Sequence, residues 1–194
     1  IITLNRSLAC AGRVADVMAI EPSMTYVPDG IGSLKDGSVT FDNVSFTYRG
    51  AGAPSLDGIS FSALSGSTVG IIGGTGSAKS TLVQLIPRLY DVTSGTVKVG
   101  GTDVRDYNLK ALRDQVSVVL QKNVLFTGSI YENIRWGDET ASDAEVERVC
   151  KLAQADEFIR QFPDGYDTHI EQGGTNVSGG QKQRLCIARA LLRR

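Results

Sequence analysis

A glycine-rich run that ends in a lysine and two hydroxyl residues is the part of the sequence best suited to phosphate chemistry. Glycines allow backbone N–H groups to turn inward around phosphate oxygens, and the start of a following helix adds the positive end of its dipole. Lys79 would then reach the β- and γ-phosphates of a nucleotide, and Ser80 would place its hydroxyl on Mg²⁺. The residues of this predicted P-loop are Gly73, Gly74, Thr75, Gly76, Ser77, Ala78, Lys79, Ser80 and Thr81.

Ala78 departs from the usual P-loop pattern, G-x-x-x-x-G-K-[ST], which has glycine at that position. If the backbone at Ala78 needs a positive φ, alanine costs about 1–2 kcal/mol of local strain, and its Cβ crowds the phosphates. A glycine-rich turn that only opens a helix is the alternative interpretation of the run.

A second candidate phosphate site begins at Ser178, where the sequence reads Ser178-Gly179-Gly180-Gln181. One interpretation is a capping box, with Ser178 as the N-cap of a helix and Gln181 bonding back to it. The other is a helix N-terminus at which two glycines allow a phosphate to approach the backbone closely. The four residues do not by themselves separate these interpretations.

The elements that must position these motifs alternate between strands and helices, which places the chain in the α/β class. Strands of alternating polarity come first, and short apolar runs typical of buried strands follow. The strands are predicted at residues 39–41 and 44–48, with an Asp42-Asn43 turn between them, and at 59–61, 69–72, 97–99 and 116–120.

Helices are predicted by apolar side chains at helical spacing and by capping signals. Asp143 is the expected N-cap of one helix, with Val146 and Val149 on its apolar face. The predicted helices are residues 79–89, a short helix near Leu109, much of 129–162, and Gly179 to the end. The P-loop thus lies between a strand and a helix, which is the context that it requires.

Residues 1–20 predict another helix, and residues 21–35, which contain proline and glycine but no periodicity, predict a linker. Charged residues interrupt the helix, which lacks the roughly 20 uninterrupted apolar residues of a membrane span. It is either a surface helix or the cytoplasmic end of a longer helix whose membrane part lies upstream.

The composition narrows the classes of partner. The net charge is −1 and no concentrated basic patch precedes the last helix, so nothing favours nucleic acid. The three cysteines are far apart and form no metal-binding spacing, which fits a reducing compartment. The single histidine, His169, is expected in an exposed loop.

Together, the two phosphate motifs resemble the nucleotide-binding domain of ABC transporters, in which an S-G-G-Q signature follows a P-loop after a helical insertion. The resemblance runs from about Val39 to the end of the chain. It implies a P-loop NTPase core with an N-terminal antiparallel β subdomain and an inserted helical subdomain at about residues 122–178, within a domain spanning 36–194. It also implies that ATP and Mg²⁺ are the ligands.

Two further positions match this family. Tyr48 falls where the family stacks an aromatic ring on adenine, although by itself it would be one more strand aromatic. Gln121 falls at the Q-loop, whose glutamine helps to hold Mg²⁺ and links the site to the membrane domain. The resemblance therefore implies that Ser80 and Gln121 are the metal ligands supplied by this chain.

Three stretches resemble the exporter subclass, in which membrane and ATPase domains share one chain. The similarity at Arg6 to Ile20 to the end of the last transmembrane helix favours the membrane-helix interpretation of residues 1–20. A departure is Glu171-Gln172-Gly173-Gly174, where exporters usually carry a Gly-Glu-Arg-Gly-like run that contacts the membrane domain. The exporter-like stretches are residues 6–20, residues 125–134 and Gly165-Tyr166-Asp167-Thr168.

The resemblance implies an ATP-driven exporter on the cytoplasmic face of a membrane. Two such domains, identical or different, would close head to tail around ATP and contact their membrane domains. The family's main catalytic carboxylate would lie beyond Arg194, so residues 1–194 are expected to be inactive as an isolated fragment. The alternatives are a degenerate, regulatory half of a heterodimer, which Ala78 favours, and a soluble ABC ATPase that acts on DNA or ribosomes.

Overall fold

An antiparallel sheet forms the first half of the computed structural model, which describes residues 2–22 and 24–193. Its four strands are ordered β2-β1-β3-β4, and large apolar side chains pair across neighbouring strands, as Phe41 does with Phe61 and Val97. Such cross-strand pairs are the unit that stabilises a sheet. The strands are β1 (Val39–Phe46), β2 (Leu56–Ala63), β3 (Ser94–Val99) and β4 (Thr102–Asp103).

The predicted turn at Asp42-Asn43 is wrong, because β1 continues through it as a bulge. Asn43 has a φ of 47° and the register of β1 shifts on both neighbouring strands at this point. A β-carbon on Gly95, whose φ is +80°, would lie 2.2 Å from the carbonyl oxygen of Asn43. The bulge therefore requires glycine on the facing strand, and it re-aims β1 rather than ending it.

Two helices pack against this sheet, and the first of them begins at the P-loop. They are α2 (Lys79–Leu85) and α3 (Leu109–Gln115). Helix α2 ends before the predicted Leu89, because Pro87 cannot continue a helix and Arg88 adopts a left-handed φ of 50°. Leu82, Leu85 and Leu112 pack into one core with the buried faces of β1 and β3.

The predicted strands at residues 69–72 and 116–120 are absent, since both segments are irregular. Ile72 is 96% exposed and Leu120 is 54% exposed. Neither segment pairs with another strand among the described residues. Apolar composition alone predicted strands here, but a strand also needs a hydrogen-bonding neighbour.

The second half is helical and has its own core. Its most buried side chains include Ile134, Val146, Val149 and Leu185. The predicted N-cap Asp143 is wrong by one residue, because Ser142 caps the helix in a capping box with Glu145. The elements are β5 (Gly128–Ser129), α4 (Ile130–Arg135), α5 (Asp143–Leu152), α6 (Asp156–Ile159), β6 (His169–Ile170) and α7 (Gly179–Leu192), with 3₁₀ turns at Gly165–Asp167 and Gln172–Gly174.

Helix α1 (Ile2–Met18) precedes the sheet, as predicted, and its described side chains are exposed. Within the described residues, no helix is both long enough and apolar enough to cross a membrane. Ile1, Ser23 and Arg194 lie outside the described residues, so the predictions that include them extend beyond the structure.

The segment that joins α1 to the sheet lies against the domain. Ile31 forms a bridge with Tyr107, and the side chain of Asn108 donates to the carbonyl oxygen of Pro28. The buried guanidinium of Arg88 donates to the carbonyl oxygen of Thr25 at 2.9 Å. These contacts hold residues 25–31 against the residues just after α2 and just before α3.

Candidate functional site

The P-loop residues form a turn whose shape depends on two left-handed positions. Gly76 has a φ of 81° and Ala78 a φ of 57° with ψ 20°. Ala78 is the N-cap of α2 and makes no side-chain capping bond. Ala78 therefore has the positive φ at which we expected strain. An L-residue in this conformation costs about 1–2 kcal/mol.

Lys79 lies folded back over this turn. Its ammonium donates to the carbonyl oxygens of Gly73 and Gly74, at 2.8 and 2.7 Å, and to the hydroxyl of Ser77 at 3.0 Å. The same hydroxyl donates to the carbonyl oxygen of Gly74 at 2.9 Å. Uncharged oxygens of the loop thus hold the Lys79 ammonium. From this position the ammonium can bond an anion instead.

This arrangement leaves little room for a side chain at position 73. A β-carbon there would lie 2.6 Å from Oγ of Ser77 and 3.9 Å from Cδ of Lys79. A β-carbon on Gly74 would meet nothing within 4 Å. The loop is therefore open on one side and closely packed against Ser77 on the other.

A cleft of about 680 Å³ opens beside the loop, a volume in the range of small-molecule sites. It brings together most of the residues that the sequence proposed for one ligand. Its walls are Tyr48, Pro54, Ser55, Gly73, Thr75, Gly76, Ser77, Ala78, Lys79, Ser80, Thr81 and Gln121.

Tyr48 forms the aromatic wall of the cleft. Its ring meets Phe46 and Tyr90 edge to face, with centroids 4.7 and 5.3 Å apart. Its hydroxyl lies 2.9 Å from Oγ1 of Thr81, which is almost fully buried in the first turn of α2. Pro54 and Ser55 stand on the same cleft but were not predicted, since a loop proline and serine give no signal in a single sequence.

Ser80 and Gln121 are the two metal ligands that the sequence predicts. Both are exposed and both line the cleft. No group of three or more His, Cys, Asp or Glu side chains gathers anywhere in residues 2–22 and 24–193. A cation at this site would therefore depend on hydroxyl and amide oxygens of the chain and on oxygens of its ligand.

The Ser178-Gly179-Gly180-Gln181 motif does form a capping box, at the start of α7. The amide N–H of Gln181 donates to Oγ of Ser178 at 3.2 Å, and the amide N–H of Ser178 donates to Oε1 of Gln181 at 2.9 Å. Both glycines are exposed, and a β-carbon on either would meet nothing within 4 Å. Neither has a positive φ. The chain's own packing therefore does not require glycine at these two positions.

The two motifs do not share a cleft within this chain, since residues 178–181 are not among those lining the P-loop cleft. His169 is exposed as predicted, but it belongs to the short strand β6 rather than to a loop.

The segment after Gln121 is fastened to α7 by side chains that the sequence interpretation missed. Arg189 donates to the carbonyl oxygens of Asn133 and Val124, at 2.8 and 3.1 Å, and burial lowers its pKa. The buried side chain of Asn133 bonds both the N–H and the carbonyl oxygen of Phe126. Nothing in a single sequence distinguishes this arginine from the other basic residues of α7.

Residues 171–174, which differ from the usual exporter run, make specific hydrogen bonds. Gly173 has a φ of 73°, its N–H donates to the carbonyl oxygen of Leu125, and its own carbonyl oxygen accepts from Nζ of Lys182 at 2.7 Å. A lysine in the first turns of a helix opposes the helix dipole, which is the one signal that could have pointed to a specific partner for Lys182.

A sequence model of the ABC transporter family matches residues 56–194, which is more than half of the chain. The chain belongs to the ABC transporter family. The α/β fold, with its antiparallel β subdomain and its helical subdomain, agrees with this assignment and confirms the predicted fold class. The match to the family's sequence model begins at β2, so strand β1 and Tyr48 lie outside the matched residues.

Relatives of this ABC domain are larger proteins. A Bacillus subtilis (strain 168) protein, whose name describes a multidrug export ATP-binding/permease protein, is 44% identical over 192 residues, covering 98% of this chain and 33% of the relative. A similarly named protein of Staphylococcus aureus (strain NCTC 8325 / PS 47) is 44% identical over 170 residues, covering 86% of this chain and 29% of the relative. The chain spans about a third of the length of these relatives.

A solved structure is also similar to this ABC domain. It is titled as a bacterial Atm1-family ABC exporter with ATP bound, and it shares 36% sequence identity. The TM-score is 0.89, with 99% of this chain and 34% of the other chain covered. The similarity therefore includes α1 and residues 24–35 as well as the ABC domain.

Proposed function

We propose that this ABC domain binds Mg²⁺–ATP in the P-loop cleft. The observation that carries the proposal is the position of the Lys79 ammonium, held by the carbonyl oxygens of Gly73 and Gly74 at the centre of the loop. Phosphate oxygens bond an ammonium more strongly than carbonyl oxygens do, because the attraction between opposite charges adds to the hydrogen bond. Lys79 would therefore exchange loop carbonyls for phosphates when the nucleotide enters.

The remaining cleft residues would bind different parts of the nucleotide. Tyr48 would stack on the adenine ring, and the amides of residues 73–81 would bond the phosphates. Ser80 and Gln121 would hold Mg²⁺ through their side-chain oxygens. The aromatic wall and the loop stand on one cleft, which supports this division.

A second ABC domain would supply the signature residues to this cleft. Ser178, Gly179 and Gly180 are exposed and lie away from the P-loop cleft of their own chain. Glycines that no internal contact requires are suited to close approach by an external phosphate. Two domains, of identical or different chains, would thus close head to tail around ATP.

In the complete protein, ATP hydrolysis at this dimer would drive export of a substrate across a membrane. The relatives named as multidrug export ATP-binding/permease proteins and the ATP-bound Atm1-family exporter support an exporter on the cytoplasmic face of a membrane. Residues 1–20 would be the cytoplasmic end of its last transmembrane helix. The segment after Gln121, fastened to α7 by Arg189, would pass movement between nucleotide and membrane domain.

A mainly regulatory nucleotide site is the second candidate function. Ala78 at a φ of 57° favours it, because a strained loop whose extra methyl group faces the phosphates would bind ATP in a less productive geometry. In that case, this chain would lend its signature to a competent site while its own site turned over slowly.

Calorimetric titration of the intact protein with Mg²⁺–ATP tests the nucleotide site. Lys79→Ala should weaken binding at least about tenfold, which corresponds to about 1.4 kcal/mol. The matched control is Lys110→Ala, since Lys110 is exposed and paired only with Asp114, away from the cleft. Equal ATP affinity in the parent and in Lys79→Ala would refute the assignment of the P-loop.

A further inference from the structure

The hydrogen bond between Tyr48 and Thr81 joins the aromatic wall of the cleft to the helix of the P-loop. Strand β1 ends at Phe46, so Tyr48 belongs to the loop that follows, where its carbonyl oxygen accepts from the N–H of Ala51 in a turn. A side chain on a loop is less restrained than one on a paired strand. The position of the Tyr48 ring therefore depends on what its side chain touches.

Three contacts fix that ring. Phe46 and Tyr90 meet it edge to face, which are favourable geometries for aromatic pairs. The third contact is the 2.9 Å bond between the Tyr48 hydroxyl and Oγ1 of Thr81. Thr81 is only 6% exposed, so its hydroxyl is held in the buried first turn of α2.

We propose that Thr81 is a positioning residue for the nucleotide base, which it orients by holding the Tyr48 hydroxyl. The proposal rests on the proposed function and assigns the Thr81 side chain a role in addition to the phosphate contact of its backbone amide. A ring fixed in place before binding loses less conformational freedom when adenine stacks on it, so affinity for the base-bearing ligand rises. A ligand with phosphates but no base gains nothing from this bond.

The test compares two ligands of the intact protein, Mg²⁺–ATP and Mg²⁺–tripolyphosphate, by calorimetric titration. Thr81→Val and Tyr48→Phe each remove one end of the bond with little change in shape. Each should lower ATP affinity about three- to tenfold more than tripolyphosphate affinity, which is the size expected for one hydrogen bond. The double variant should be no worse than the more affected single variant, because both changes delete the same bond.

Two further variants separate positioning from structural damage. Thr81→Ser keeps the hydroxyl and should restore the ATP-to-tripolyphosphate ratio of the parent. Tyr107→Phe removes a comparable buried tyrosine bond, to the carbonyl oxygen of Val99, and should leave that ratio unchanged.

Other outcomes overturn the proposal. Equal losses of ATP and tripolyphosphate affinity in Thr81→Val would mean that the Thr81 side chain binds phosphate directly. Additive losses in the double variant, or a parent-like ratio in Tyr48→Phe, would mean that Phe46 and Tyr90 suffice to place the ring. A parent protein that binds neither ligand would refute the proposed function itself, whereas the preceding outcomes leave it standing.

Discussion

The half of the molecule that contains the antiparallel sheet and the P-loop (the P-loop half) differs from the helical half in how it holds its candidate functional residues. The helical half buries its core completely, with Val146, Val149 and Ile134 at 0% exposure, and it presents the signature on the start of a capped 14-residue helix. The P-loop half also has a buried core, but its candidate site is a loop held by bonds from Lys79 to the carbonyl oxygens of Gly73 and Gly74.

The two candidate phosphate motifs are therefore stabilised in opposite ways before any ligand binds. In the capping box, Ser178 and Gln181 satisfy each other's hydrogen-bonding groups, so the backbone is fixed and the two glycines stay exposed. In the P-loop, the polar side chain that would bind the ligand is satisfied by the loop itself and must change partners. Substitutions of the signature glycines should therefore change activity with little change in stability, whereas substitutions in the P-loop should change ligand binding first.

The largest effect is expected at Gly179. Gly179→Val in the intact protein should lower ATP turnover at least about tenfold, because the side chain would stand where the partner's nucleotide approaches. The melting temperature should change by no more than about 2 °C, since the new β-carbon meets nothing within 4 Å. Phosphate-release assays and calorimetric melting measure the two quantities.

Gly137→Ala provides the opposite control in the same half. A β-carbon at Gly137 would lie 2.3 Å from the carbonyl oxygen of Arg189, so this variant should lose stability. If Gly179→Val melted as early as Gly137→Ala, the signature glycines would be structural, and the comparison would fail.

The next effect separates two N-caps of identical geometry. Ser178→Ala and Ser142→Ala each remove the serine of a capping box and should each cost about 1 kcal/mol of unfolding free energy. Only Ser178→Ala should also lower turnover several-fold, because only Ser178 would face a nucleotide. Denaturant unfolding and turnover measured on both variants test this, and equal turnover losses would contradict it.

A smaller effect is expected at Ala78, where the left-handed φ of 57° strains any residue that has a β-carbon. Ala78→Gly relieves about 1 kcal/mol of strain that is already present in the free protein, so it should raise stability. It also removes a methyl group from the cleft wall, so Mg²⁺–ATP should bind about two- to fivefold more tightly. Calorimetric titration measures the change. Unchanged or weaker binding would show that the loop has adapted to alanine, and the regulatory interpretation would lose its support.

The smallest effect concerns the closed core of the helical half. Burial raises the pKa of the Cys150 thiol to about 12, so almost none of it is thiolate at pH 8. Cys10, in contrast, is exposed on α1. Iodoacetamide at pH 8 should modify Cys10 and spare Cys150 until the protein unfolds, because the thiolate is the reacting form. Peptide mass spectrometry reads both sites, and equal labelling rates would mean that the helical core opens readily.

Which residues gather around the P-loop was easier to predict from the sequence than the sheet beside them. The P-loop run and the Ser178–Gln181 capping box were predicted from residue types and spacing. The family resemblance singled out Tyr48 and Gln121, which line one cleft with Lys79. These features are local or belong to a family pattern. The assignment of each residue to ATP or Mg²⁺ stays a prediction.

The errors arose where tertiary contacts decide. Residues 69–72 and 116–120 have strand composition, but pairing depends on neighbours that composition does not reveal. The bulge at Asn43 and the left-handed Arg88 are set by the facing strand and by Pro87. Long-range side-chain bonds, such as those of Lys182 to Gly173 and of Arg189 to Val124, leave no periodic signal in the sequence.

Hydrogen–deuterium exchange of the intact protein, with and without Mg²⁺–ATP, tests the central claim most directly. The account predicts that Mg²⁺–ATP slows exchange at residues 73–81, that Lys79→Ala removes this protection, and that the α5 core around Val146 and Val149 exchanges equally slowly throughout. Protection that persisted in Lys79→Ala, or that appeared in the α5 core but not in the P-loop, would contradict the assignment of the nucleotide to this loop.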